Sequence, residues 1–160
     1  MADGASIRRA RVLVMVGTVA LVLLAACGSD DGEQAPEACL AGSETYLEVL
    51  QAAPEAVRLY GIPISDCLTP SQEGGELAQI GEQMVIAATR LNAEASRDPG
   101  GPAAVQLGYL IGAASKGADS IHADLVLRLN SAARFSAGEA PPPAFNRGFN
   151  RGYAAGQESG

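Results

Sequence analysis

Apolar residues recur at helical spacing over most of the chain. In residues 76–95, Leu77, Ile80, Met84, Ala87 and Leu91 alternate steps of three and four, which predicts one amphipathic helix with a single apolar stripe. In residues 39–61 the spacing of Leu40, Leu47, Leu50 and Val57 predicts a helix, and Pro54 is expected to open a second short one after a kink. A longer phase runs through Leu107, Ile111, Ala114, Ala118, Ile121, Leu125, Leu129 and Ala132. It fits one long helix or two hinged at residues 115–117. Two are expected, because Asp119 and Ser120 are good capping residues. The breakers "RDPGGP" and "GEAPPP" separate these segments, and "GIPISDCLTP" reads as a loop. No stretch sustains β alternation with β-branched or aromatic enrichment. The expectation is an all-α fold, a small helical bundle of about four to six helices.

The tail "AFNRGFNRGYAAGQESG" has a finer pattern. Ala144, Gly148, Gly152, Gly156 and Gly160 recur every four residues, as do Phe145, Phe149 and Tyr153, while Arg147 and Arg151 repeat once. A helix here would carry a small-residue stripe, an aromatic stripe and a basic edge. Each interior glycine costs about 0.8–1 kcal/mol of helix propensity, so the helix needs a neighbour close along its glycine groove. Docking onto the protein's own core, with all three aromatics buried, is the expectation. The alternative is an exposed element that binds a partner through Phe145, Arg147, Phe149, Arg151 and Tyr153.

The N-terminus has a different layout. Arg8, Arg9 and Arg11 face one acid, Asp3, and residues 12–26 hold no charge. A basic start, a short apolar run and small residues at its end describe a secretory signal peptide, residues 1–26. The run is short for a spanning helix, which needs about 20 apolar residues; an uncleaved anchor is the alternative. Leu24-Ala25-Ala26-Cys27 resembles the lipobox of bacterial lipoproteins. That resemblance covers residues 1–27 only. It implies cleavage before Cys27, lipidation of its thiol (palmitate among the acyl chains) and a protein held on the extracytoplasmic face of the cell membrane. Arg11 and Val12 stand where the twin-arginine motif wants an aromatic and a leucine, so ordinary secretion is expected. Residues 27–38 then read as the lipidated Cys and a flexible acidic tether, with the helical domain over 39–137, a Pro-rich spacer over 138–143 and the patterned segment over 144–160.

Without residues 1–26 the chain has 8 basic and 17 acidic residues, a net charge of −9. That argues against nucleic acid as a partner and against docking to anionic lipid by charge, leaving the acyl chains to hold the bilayer. Two cysteines remain, Cys39 and Cys67. In an exported chain an even pair reads as one disulfide, with two free thiols as the alternative. No metal or cofactor is expected beyond the lipid on Cys27, since the chain has no CxxC and one histidine.

That histidine, His122, has Asp119 one turn before it and Asp124 just after it. His with Asp could serve as a general base, which makes His122, Asp119 and Asp124 the candidate catalytic residues. The plainer reading is a partly exposed ring bonded to the neighbouring helix turn. Asp124 and Arg128 are spaced for a surface ion pair. No nucleophile elbow, phosphate loop or metalloprotease motif occurs. Three function classes follow in order: a membrane-anchored helical interaction module for a protein or cell-envelope component, an envelope hydrolase using His122, and a small-ligand carrier.

Overall fold

The computed structural model describes residues 34–135 and 140–160. The expected signal peptide, Cys27 and most of the expected tether lie outside the described residues. Five α-helices make up the described part: α1 (Ser43–Val49), α2 (Gly74–Arg97), α3 (Pro102–Gly117), α4 (Ala123–Ala132) and α5 (Pro143–Ser159). The fold is all-α, a small helical bundle with one disulfide.

α3 is the axis of the bundle. Its sequence has no charge before Lys116, and every residue from 103 to 114 is buried. A helix that is apolar all round must be enclosed by others. Pro102 opens it at a position where the missing N–H costs nothing. α2 buries Ile80, Met84, Ala87 and Leu91 of the stripe read from its sequence, with Leu77 half-buried, together with Gly81, Ala88 and Ala95. Gly81 marks where α4 leans on α2, since a Cβ there would lie 3.0 Å from Leu125 Cδ1.

α3 and α5 pack backbone to backbone. A Cβ built on Gly152 would overlap the Val105 carbonyl and lie 2.9 Å from Tyr109 N; on Gly156 it would lie 2.8 Å from Ala113 N. The same holds in reverse. A Cβ on Gly108 would lie 2.9 Å from the carbonyl carbon of Phe149, and one on Gly112 3.0 Å from that of Tyr153. Two small-residue stripes therefore face each other. Their contacts advance together, Gly148 against Ala104 and Gly156 against Tyr109 and Ala113, so the two helices are parallel. The connection between them holds α4.

The tail docks as expected, but with a different share of burial among its aromatics. Phe145 is buried and meets Phe135 edge-on at 5.4 Å, while Phe149 is half-buried and stacks on Phe145 at 5.8 Å. Tyr153 stacks on Phe149 at 6.3 Å yet stays 36% exposed. The glycines hold the inner face, which leaves the aromatics to run along its flank and out to the surface.

Cys39 and Cys67 form the disulfide, with Cα atoms 5.4 Å apart and a sequence separation of 28. Closing such a loop contributes about 3–4 kcal/mol in the chain-entropy account. The folded part starts earlier than the expected tether boundary. Ala35 is buried and its N–H donates to Glu76 Oε2 at 3.1 Å, and Glu37–Leu40 forms a 3-10 turn.

Pro54 does not open a helix. After Leu50–Ala52 the chain extends into a hairpin, β1 (Arg58–Leu59) with β2 (Ile62–Pro63), paired antiparallel as Arg58↔Pro63 and Leu59↔Ile62. The buried Val57 N–H donates to Tyr109 Oη at 2.9 Å, a tertiary bond in place of a helical one. Between the strands, Tyr60 (φ 48°) and Gly61 (φ 93°) both have positive φ, as a tight two-residue hairpin turn requires.

Candidate functional site

The sequence candidates around His122 lie at the entrance to α4. Asp119 caps this entrance: its Oδ1 accepts from Ile121 N–H at 3.0 Å. Its own N–H points at His122 Nδ1, 3.1 Å away. On the other side of the ring, His122 Nε2 lies 3.3 Å from Gln72 Oε1, and Gln72 Nε2 donates to Cys67 O at 3.2 Å. That second bond orients the amide, so its oxygen faces the ring and Nε2 carries a proton. Nδ1 faces Asp119 N–H. Both ring nitrogens are spoken for.

His122 has no exposed surface, where a partly exposed ring was expected. The cause is a change of helical pitch. Ser120–His122 is a 3-10 turn, with three residues per turn in place of 3.6, and this rotates His122 inward and Ile121 outward to 44% exposure. Ile121 had been assigned to the apolar stripe. Asp119 Oδ1 stays within 2.9 Å of His122 Nδ1, while Asp124 is exposed and makes no ion pair with Arg128. His122 thus ties α4 to the disulfide loop, and no reacting group can approach either nitrogen. Among the described residues, no group of three His, Cys, Asp or Glu side chains could hold a metal ion.

Two clefts of about 550 Å³ each open elsewhere. One lies between the disulfide loop and the end of α3, lined by Ser65, Asp66, Thr69, Lys116 and Gly117 among others. Two of its polar groups, Ser65 and Lys116, already serve the fold. Ser65 Oγ lies 2.6 Å from Gly160 O and 3.1 Å from Asp66 Oδ1, so its single proton goes to the nearer oxygen. Lys116 Nζ donates to Glu158 O at 3.0 Å. The other cleft is lined by Glu37, Ala38, Leu40, Ala41, Thr45 and Tyr60. Neither is lined by His122.

The basic edge of α5 is the remaining candidate surface. Docking of the glycine stripe turns Arg147 and Arg151 to solvent, with Asn150, Tyr153 and Ala154 beside them. Neither arginine pairs with a carboxylate among the described residues, whereas Arg90 pairs with Glu44 and Arg97 Nε donates to Ala93 O at 3.1 Å. Of the five tail residues considered for partner binding, Phe145 is in the core and Phe149 half-buried, which leaves Arg147, Arg151 and Tyr153 accessible. Sequence reasoning missed Tyr60. It is 78% exposed at the tip of the hairpin, and its only sequence signal was the neighbouring glycine.

Comparison with known proteins adds no relative: no family model, no curated protein and no solved structure matches the chain.

Proposed function

We propose that this chain is a bacterial lipoprotein, anchored through acyl chains on Cys27 at the extracytoplasmic face of the cell membrane, whose helical domain binds an acidic protein or cell-envelope component. The signal-peptide layout and the lipobox support the anchor. From Cys27 to Ala35, the first buried residue among those described, a chain of this length spans at most about 28 Å, so the domain would work close to the membrane surface.

The observation that carries the binding role is the division of labour on α5. Its glycines hold it to α3, and this leaves Arg147 and Arg151 one helical turn apart, exposed and unpaired, on a domain that is otherwise acidic. Arginines whose backbones lie about 6 Å apart along a helix suit carboxylate or phosphate groups, which each guanidinium can grip with two N–H donors. A hydrolase or carrier built around His122 is not supported by the geometry, because that ring is enclosed and both its nitrogens are engaged.

The test is co-purification from detergent-solubilised membranes with the parent chain and with the double variant Arg147→Ala/Arg151→Ala. Both should melt at the same temperature, and the double variant should lose the captured partner. Equal capture by the two proteins refutes the basic edge as the binding surface. Mass spectrometry of the same preparation tests the anchor, since a Cys27 without added acyl mass, or an intact Met1 start, refutes it.

A further inference from the structure

The second cleft has a feature that the fold does not use. Tyr60 sits at φ 48°, a conformation that asparagine and glycine adopt readily and a tyrosine side chain disfavours. The ring gains no burial in return, being 78% exposed. A bulky aromatic in this position costs stability, and strain of this kind collects where a side chain has a task outside the core.

The surroundings of the ring are well suited to one class of ligand. Tyr60 lines the groove together with the half-buried Ala38, Leu40 and Ala41, with Thr45 and with the exposed Glu37. One wall is the Glu37–Leu40 turn, which contains Cys39. The other is the hairpin, whose second strand runs directly into the Ile64–Cys67 turn. The Cys39–Cys67 disulfide ties the first wall to the turn that follows the hairpin, which limits how far the two sides of the groove can part. A site preorganised in this way loses less entropy on binding.

Charge selects the ligand. From residue 34 to residue 60 the chain carries Glu37, Glu44, Glu48 and Glu55 against one basic residue, Arg58, whose guanidinium donates to Gly61 O at 3.5 Å. Arg90 takes the Glu44 carboxylate, while Glu37, Glu48 and Glu55 are exposed with no ion pair among the described residues. Glu48 lies one helical turn from Thr45 and so on the same side of α1. An aromatic ring that shares a cleft with an unpaired carboxylate, Glu37, attracts a cation on an apolar stem, by the ring's negative face and by charge together. We propose that this groove binds an extended basic segment of another protein, with a lysine or arginine side chain laid across Tyr60 and its charge directed to Glu37. This surface is separate from the basic edge of α5 and has the opposite preference.

The test measures binding of a fluorescein-labelled peptide of alternating lysine and alanine to the full chain in neutral detergent, with an alternating glutamate and alanine peptide as control. The lysine peptide should bind and the glutamate peptide should not. Tyr60→Asn should weaken binding by about fivefold, the size expected for loss of a cation–ring contact. The same variant should melt at the parent temperature or above it, since asparagine suits the turn. Glu37→Gln should also weaken binding, and Arg147→Ala/Arg151→Ala should leave it unchanged. Undiminished binding by Tyr60→Asn overturns the proposal, as does failure of the lysine peptide to bind at all. Displacement of the peptide by neutral chitotriose would put a glycan in the groove. Self-association lost in Tyr60→Asn would put a second copy of the chain there. Either result overturns the assignment to a basic segment of another protein.

Discussion

Replacing Gly152 by alanine adds one methyl group where the α3–α5 interface has no room for it. The new Cβ would overlap the Val105 carbonyl and lie 2.7 Å from its carbon and 2.9 Å from Tyr109 N. These are backbone atoms in the middle of a buried helix, so they yield only if the two helices separate. A radial gap of about 0.5–1 Å already forfeits a quarter to a half of the dispersion attraction along the seam. Overpacking of this kind costs about 1–3 kcal/mol, and rigid neighbours put Gly152 toward the upper end. Alanine returns up to about 1 kcal/mol through helix propensity. The net loss is about 2 kcal/mol, a fall in melting temperature of about 8 °C for a domain of this size.

The same substitution at two other glycines calibrates the result. A Cβ on Gly148 would meet Ala104 Cβ at 3.1 Å, Val105 Cγ2 at 3.6 Å and Val105 N at 3.7 Å, a squeeze of a few tenths of an ångström that the gain in helix propensity largely offsets, so Gly148→Ala should cost far less than Gly152→Ala. Nothing lies within 4 Å of a Cβ on Gly75, in the first turn of α2, so Gly75→Ala should raise the melting temperature slightly. Thermal unfolding followed by circular dichroism measures all three. If Gly152→Ala melts at or above the parent, the close approach of α3 and α5 is wrong.

Two further predictions concern buried polar groups. His122→Leu would leave Gln72 Oε1 and Asp119 N–H without their partner, a loss of about 2–4 kcal/mol in urea unfolding; an unchanged midpoint would show that the ring is not the tie described above. Tyr46 is fully buried with its Oη donating to Cys39 O at 2.9 Å, and burial pushes its phenol up from the ordinary value. The folded state thus keeps a proton that the unfolded state releases above about pH 10, so this stabilising term is present below that pH and declines as pH rises past it. Tyr46→Phe should cost about 1 kcal/mol at neutral pH and flatten the alkaline loss of stability. An alkaline slope identical to the parent's would contradict this.

What could be read from the sequence was whatever rested on local spacing. The α2 stripe, the breaks at "RDPGGP" and after Gly117, the cap at Asp119 and the disulfide all follow from neighbours in the chain or from cysteine arithmetic. The glycine groove of α5 was half legible. Gly148, Gly152 and Gly156 announce a close neighbour, and Gly108 and Gly112 repeat their spacing, yet nothing in one dimension pairs two stripes about forty residues apart. The hairpin was not legible, because two-residue strands have no period and its turn has tyrosine where asparagine would signal it. Burial of His122 was hidden for two reasons. A single 3-10 turn reset the helical phase, and the amide that receives the ring proton, Gln72, lies 50 residues away.

Enclosure of α3 on every side also sets how the domain opens. An amide in an edge helix can exchange its hydrogen with solvent when that helix frays or lifts, and it then reports a local free energy. From residue 103 to residue 114 no such local route exists, because exposing one face of α3 still leaves the others covered. Its amides reach solvent only when α5 has departed along the glycine seam and the remaining helices have separated. The slowest-exchanging hydrogens of α3 therefore measure the free energy of unfolding the whole domain, and those of α5 measure how far it detaches ahead of the rest.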